Sequence, residues 1–294
     1  MNPKVSICVP TYNRKDYLRE TLDSIFTQTY KDYEVVVVDD GSTDGTEEML
    51  KQGNYPIRYY WQENSGDAAA RNRMIKLARG EFITFIDSDD LLIHDAVERM
   101  MEVMEEEGGD VIVYGPYLRI DQNGIVYGRF KSKLYSGHIT KYLFRSIFVH
   151  SCGSMFPKSA LEEAGGFDTS LRRCSVYKLL LRLSLKYRFI ALHEPVFKRR
   201  RHSSNVYDSS LEDRKIEYDV LENFYLNDGG KDAVPHRWAM KRLSREGYRA
   251  GRAAIKEKKY NEARRLLRKS FGMHPNIKSL ILWSRAATAD KFST

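Results

Sequence analysis

Apolar and polar positions alternate in blocks of two lengths along the first hundred residues. Val5–Val9, Glu34–Val38, Ile57–Trp61 and Glu81–Ile86 are short, nearly continuous apolar runs. Such runs are what strands buried on both faces look like. Between them lie Asp16–Gln28, Thr43–Gln52 and the Ala- and Arg-rich Asp67–Ala78. These have helical spacing, with Tyr17, Leu18, Leu22, Ile25 and Phe26 on one side of the first. Strands alternating with helices predict an α/β fold with a mostly parallel sheet and flanking helices. Beyond about residue 108 the rhythm changes. Val111–Tyr117 and Ile125–Phe130, joined through Asp121-Gln122-Asn123-Gly124, predict a β-hairpin. A helix over Gly137–Phe148, a strand over Ser151–Phe156 and a short helix over Lys158–Ala164 follow, the last closed by Gly165-Gly166. Ser175–Tyr187 carries leucines at helical spacing, and Phe189–Phe197 predicts a last strand running into Lys198-Arg199-Arg200-Arg201-His202. From about residue 210 only helices are predicted.

The polar positions at the strand ends carry the chemistry. The first four strands run into Pro10-Thr11-Tyr12-Asn13, Asp39-Asp40-Gly41-Ser42, Gln62-Glu63-Asn64-Ser65-Gly66 and Asp87-Ser88-Asp89-Asp90. Parallel strands bring such loops to one edge, where open α/β sheets bind ligands. Asp87, Asp89 and Asp90 cannot be buried unpaired, and crowded together they repel one another. Carboxylates at i and i+2 suit a hard divalent cation that itself holds phosphate oxygens.

Composition narrows the class. The 294 residues suffice for one large α/β domain with an appendage or for two ordinary domains, and 42% apolar content excludes a disordered chain. No apolar run is long enough to span a bilayer, and Met1–Val9 has no signal-peptide pattern. Cys8, Cys152 and Cys174 form neither a disulfide framework nor a zinc spacing. A reducing cytoplasmic compartment is expected, including the inner face of the membrane. The net charge of +8 is uneven: residues 231–294 hold 17 Lys and Arg against 5 Asp and Glu. Such a basic region points to peripheral membrane or partner contact, or to a solvated helical surface, with no specific nucleic acid expected. Within it, Gly251, Ala263, Leu267 and Pro275 have the spacing of a tetratricopeptide-like hairpin. One repeat cannot bury its own face, so a helical hairpin packed on the main domain is expected.

With these residues in view, the chain resembles the family 2 glycosyltransferases of the GT-A fold over roughly residues 3 to 205. Val5-Ser6-Ile7-Cys8-Val9-Pro10-Thr11-Tyr12-Asn13 matches the family's opening strand, and Val36-Val37-Val38-Asp39-Asp40-Gly41-Ser42-Thr43-Asp44-Gly45-Thr46 its second strand and loop. Glu63-Asn64-Ser65-Gly66, Ala70-Arg71-Asn72 and Asp87-Ser88-Asp89-Asp90 follow in family order. The resemblance implies a GT-A domain over 1–208, with 1–108 binding the nucleotide-sugar and 109–208 on the acceptor side, then a basic helical region over 209–294. It implies inverting, metal-dependent transfer from a UDP- or dTDP-sugar to a hydroxyl of a cell-surface glycan, a lipid-linked sugar or a protein. Pro10, Thr11, Tyr12 and Asn13 would cup the base, and Asp39 would accept a hydrogen bond from a base N–H. Gly66 and Arg71 would lie beside the nucleotide, Asp87 with Ser88 at the ribose, and Gly153 in the loop beside the sugar. Asp89 and His202 would hold Mn²⁺ or Mg²⁺. Each has a plainer alternative: Asp39 and the aspartate loop as helix caps, Arg71 as a surface arginine, Gly153 as a turn glycine, His202 as a solvated imidazole. A metal-dependent nucleotidyltransferase is a weaker alternative for the whole site, because the loops at Asp39 and Arg71 fit it less well.

One departure stands out. The family's catalytic base is the Asp of a Glu-Asp pair at a helix start, a few residues after a Gly-Gly-Phe-Asp segment. Here Gly165-Gly166-Phe167-Asp168 and Leu171-Arg172-Arg173-Cys174 are in place, but the pair reads Ser175-Val176. An isopropyl group cannot take a proton. Ser175 is expected to cap the helix, and Asp168 is a weak substitute base. Two readings stand open: an attenuated glycosyltransferase, or a nucleotide-sugar-binding protein without turnover whose basic region engages a partner or membrane.

Overall fold

The computed structural model describes residues 2–202, 210–275 and 277–289. They form two compact units, Met1–Ile139 with Phe148–Asn205, and Thr140–Ile147 with Val206–Thr294. The expected division at 208/209 falls outside the described residues.

The strands are β1 (Val5–Thr11), β2 (Tyr33–Asp39), β3 (Arg58–Trp61), β4 (Phe82–Phe85), β5 (Leu91–Leu92), β6 (Val111–Tyr114), β7 (Tyr117–Ile120), β8 (Val126–Arg129), β9 (Ser154–Pro157), β10 (Arg188–Ala191) and β11 (Phe197–Arg200). The first unit's helices are α1 (Lys15–Phe26), α2 (Thr46–Gly53), α3 (Asp67–Leu77), α4 (Ala96–Glu106), α6 (Lys158–Glu163) and α7 (Ser175–Lys186); α5 (Thr140–Arg145) belongs to the second. The large sheet has the order β10-β6-β9-β4-β1-β2-β3. β4, β1, β2 and β3 run parallel, β10 runs parallel to β6, and β9 lies antiparallel between β4 and β6. The fold is therefore the mixed α/β, mostly parallel one that the alternation predicts. Every residue of β1 is buried, because helices cover both faces of the sheet's middle. Register places Thr11 beside Asp39 and Asp39 beside Trp61, so these strand ends finish level.

Three local expectations change. Val111–Tyr117 is two strands in two sheets: β6 joins the large sheet, while β7 pairs with β8 in the small sheet β5-β11-β7-β8. The break lies at Gly115-Pro116. A Cβ at Gly115 would lie 2.7 Å from Val196 Cγ1, and Pro116, which has no N–H, accepts a bond from Val196 N at 3.0 Å. Phe189–Phe197 divides likewise into β10 and β11, around Pro195. Sequence periodicity also missed α4, which buries Val97, Met100, Met101 and Met104 on one side.

The second unit adds α8 (Leu211–Asn227), α9 (Gly230–Ala233), α10 (His236–Lys256), α11 (Tyr260–Met273) and α12 (Ile277–Ala289). Small residues set its close packing: a Cβ on Gly251 would lie 2.6 Å from Leu267 Cγ, so α10 and α11 meet there only without one. Ala250, Ala254, Ala263 and Ala286 are in the core with Leu211 and Leu266. No described helix is long and apolar enough to cross a membrane.

Candidate functional site

The ends of β1 and β2 are knitted together by their own loops. Asn13 takes a positive φ of 50°, its N–H donates to Ser42 Oγ at 2.8 Å, and its Oδ1 accepts from Thr43 N at 2.8 Å. Pro10 and Thr11 are buried in β1, Tyr12 is exposed beside them, and Thr11 Oγ1 is buried without a hydrogen-bond partner. Asp39 is buried at the end of β2. Its Oδ1 accepts from Ser42 N at 2.8 Å and its Oδ2 from the Tyr59 hydroxyl at 2.9 Å. Burial and the Asp39 carboxylate raise the Tyr59 pKa, so the phenol stays a donor. Gly45 caps α2, so Asp39 is not a helix cap.

The neighbouring Asp40 organises the next loop. Its Oδ1 accepts from Gln62 Nε2 at 2.6 Å and Ser65 N at 2.9 Å, and its Oδ2 from Gly66 N at 2.8 Å. Gly66 sits at φ +89° with open space where a Cβ would lie, and opens α3.

Arg71 lies one turn into α3 and is buried, which excludes an ordinary surface arginine. Its Nε donates to both oxygens of Asp67 at 2.9 Å, and one terminal nitrogen to Asp87 Oδ1 at 2.5 Å. The guanidinium lies 5.4 Å from the Phe85 ring centroid and 5.7 Å from that of Phe167. Burial opposes its charge, but Asp67 and Asp87 more than offset that, so its pKa is raised. Burial likewise pushes the Asp87 carboxyl up, yet Arg71 and the Cys152 thiol hold it below the usual range.

Asp90 is buried, and burial together with the charges of Asp87 and Asp89 pushes its carboxyl well above the usual range. Its Oδ1 accepts from Arg200 N at 2.8 Å, which ties the acidic loop to β11. Arg200 adds bonds to Asp89 O at 3.0 Å and Glu20 Oε2 at 2.5 Å, and packs 4.8 Å over the Tyr17 ring. This anchorage sets the residue two positions on. His202 Nε2 lies 2.8 Å from Asp89 Oδ2, and its ring stacks on Tyr17 with centroids 5.0 Å apart. His202 is thus enclosed rather than solvated. Asp95 caps α4, so the aspartates are not its cap. Ser88 is buried between them.

Asp87, Asp90 and Cys152 form a group whose ligand atoms all lie within 4.8 Å of one another, and this acidic cluster could hold a metal ion. The donor chemistry divides it. Carboxylates are hard donors that suit Mn²⁺ or Mg²⁺; a thiol is soft, and Cys152 is held protonated by burial and by Asp87 and Asp90. Asp89 and His202, a hard oxygen beside an imidazole nitrogen, are a second pair that could hold such an ion.

The remaining expected residues lie farther along. Gly153 has φ +66°, and a Cβ there would lie 2.5 Å from Phe197 and 2.6 Å from Val196. Val176 is half-buried in the first turn of α7 and Ser175 is buried. The helix is capped by Cys174 at φ 65°, not by Ser175, which is already its first helical residue. Asp168 Oδ1 accepts from Ser170 N at 2.9 Å and Oγ at 2.6 Å, and Oδ2 accepts from Lys178 Nζ at 2.7 Å. These bonds hold its carboxyl at about 2, where it accepts a proton poorly. Sequence reasoning missed Asp40, Tyr59, Asp67, Cys152 and Arg200. Only the i, i+4 spacing of Asp67 and Arg71 offered a signal.

A sequence profile described as "Glycosyl transferase family 2" matches residues 6–165. The chain belongs to glycosyl transferase family 2. It is 33% identical over 233 residues to an uncharacterized glycosyltransferase of Rickettsia typhi, covering 76% of this chain and 72% of that protein. Among solved structures, S. aureus TarS superposes with a TM-score of 0.68 at 17% identity, over 98% of this chain and 53% of that one. This glycosyltransferase thus spans about half the length of TarS. The mannosyltransferase PcManGT from Pyrobaculum calidifontis, in complex with GDP-Man and Mn²⁺, superposes with a TM-score of 0.59 at 21% identity, over 98% of this chain and 81% of that one. At these identities the two structures are alike in fold.

Proposed function

We propose that this glycosyltransferase binds a nucleotide diphospho-sugar at the level edge of β1–β4 and passes the sugar to an acceptor hydroxyl with weakened proton removal. The carrying observation is that Asp39, the Gln62–Gly66 loop and the Arg71–Asp87 pair are each held in place beside the ends of the parallel strands β1–β4, while His202, from the end of β11 in the small sheet, is held on Asp89. Asp39, its two oxygens fixed by Ser42 and Tyr59, presents its remaining lone pairs to a base N–H, which favours uracil or thymine. Pro10 to Asn13 and Gly66 border the nucleotide. Arg71 fixes Asp87 in a ribose-binding orientation, with Ser88 behind it. Asp90 anchors β11 and so keeps His202 at Asp89. Asp89 and His202 would hold Mn²⁺ or Mg²⁺, which when bound supplies Lewis-acid stabilisation of the leaving diphosphate. TarS has been solved with UDP-GlcNAc, a donor of this kind. In this reading residues 1–108 are the donor half and the chain from 109 to about 208 the acceptor side, with Gly153 at the sugar. The acceptor is a cell-surface glycan, a lipid-linked sugar or a protein.

Inverting transfer needs a carboxylate to take the acceptor's proton. Val176 cannot, and Asp168 is occupied by Lys178. That engagement favours a second reading, a nucleotide-sugar-binding protein without turnover. One experiment separates them. Wild type and the Ser175→Glu/Val176→Asp variant are compared for Mn²⁺-dependent UDP binding and for hydrolysis or transfer from UDP-sugars. Binding by both, with turnover about 10²–10⁴ higher in the variant, supports a site whose base is missing. Equal turnover places the base elsewhere, and no UDP binding by either refutes the donor site.

A further inference from the structure

The last described helix of the second unit is turned inside out. α12 buries Ser279 and Ala286, both small, and turns large apolar residues outward: Ile277 is 72% exposed, Leu280 48%, Ile281 45% and Trp283 37%. Successive helix positions are about 100° apart, which puts Ile277, Leu280 and Ile281 on one stripe opposite Ser279 and Ala286. The helix cannot roll to hide that stripe. Ser279 Oγ lies 2.9 Å from Ser270 Oγ of α11, which donates to Ser244 O of α10 at 2.7 Å, and this buried seam fixes the rotation. Scattered exposed apolar residues are ordinary, but four in three turns of one helix form a contact surface.

Charge selects the occupant. From Ala263 to Ala289 there is no carboxylate; Glu222 pairs with Lys269 and Glu262 with Arg265, and the excess of cations includes Arg268 and Lys278. A second copy of the chain docked on this face would bring two such clusters together and repel itself. An apolar stripe with no acid on its own helix, a tryptophan at its flank and excess cations beside it is instead the composition that seats a helix at the interface of an anionic bilayer. We propose that α12 docks its outward face on an anionic phospholipid surface, with Ile277, Leu280 and Ile281 entering the headgroup layer and the neighbouring cations meeting lipid phosphates. Membrane contact by a basic region was open from the sequence; the structure assigns it to one face of one helix. The inference does not rest on the donor site, since UDP binding is read separately.

The test is co-sedimentation of the full chain with vesicles of phosphatidylcholine alone or with one third phosphatidylglycerol, with Mn²⁺-dependent UDP binding followed in parallel. Wild type should bind only the anionic vesicles, and less in high salt. Ile277→Gln/Ile281→Gln keeps good helix formers at exposed positions and should bind at least about ten-fold more weakly. Arg268→Ala/Lys278→Ala should lose roughly five-fold per cation. UDP binding should be unchanged in both variants. Three results would each overturn the proposal: no binding of wild type to anionic vesicles, equal binding by the Ile277→Gln/Ile281→Gln variant, or a wild-type dimer in solution that this variant converts to monomer. Loss of UDP binding in wild type would count against the donor site and leave the vesicle result standing.

Discussion

Arg71→Met tests the architecture of the proposed donor edge. Methionine keeps the length of the side chain and suits the space between Phe85 and Phe167, so packing is largely preserved. What is lost is the fork to Asp67 and Asp87. Breaking a fully buried ion pair costs about 3–5 kcal/mol. Here the two carboxylate side chains are 55% and 43% exposed and regain water, so the expected loss is smaller, about 2–3 kcal/mol. Amide hydrogen exchange at β1 and β4 is the right assay, because it reports opening of the unit that holds Arg71 independently of the second unit. The effect should depend on pH. Asp87 has a folded-state pKa below its ordinary value, so its contribution is complete above about pH 4 and fades as pH falls through the lowered pKa. The difference between wild type and variant should therefore shrink below pH 4. A loss under about 0.5 kcal/mol at pH 7, or a difference unaltered at low pH, would refute the reasoning.

Three further outcomes are expected. Asp39→Asn keeps an oxygen for Ser42 N but replaces the second acceptor by an amide, and should weaken UDP binding about 10–100-fold by calorimetry. Asp89→Ala removes one hard donor beside His202, and should abolish the Mn²⁺ dependence of UDP binding while binding in chelator stays at the wild-type level. Thr84→Val deletes a buried hydroxyl that has no hydrogen-bond partner, and should stabilise the β4 amides by about 1 kcal/mol; destabilisation would mean that the hydroxyl is satisfied.

The proposed donor edge was legible where it lies at the end of one strand. Thr11, Asp39, Gly66 and Asp87–Asp90 each follow an apolar run, and parallel topology does the rest. Partners that approach from elsewhere in the chain were not legible. Tyr59 reaches Asp39 across a strand pair, Cys152 reaches Asp87 from the loop before β9, and Arg200 reaches Asp90 from 110 residues away. Nothing in the local pattern marks any of these. The basic run at 198–201 was expected to follow the last strand, yet Lys198–Arg200 belong to β11 and Arg200 is buried, its guanidinium held by Glu20, Asp89 O and Gln122 O.

What the sequence alone determined is the order of the first four strands and the three helices between them, the acids at the strand ends, the family, and the replacement of the usual carboxylate pair by Ser175-Val176. These are properties of residue type and short-range spacing. The tertiary structure decided what each polar group faces: which carboxylate is paired, that Asp168 is already bound to Lys178, and that α12 turns its apolar side outward. The physical reason is that a side chain's burial, charge state and hydrogen-bond partners depend on neighbours distant in the chain, and only the packed sheets and helices bring those neighbours within reach.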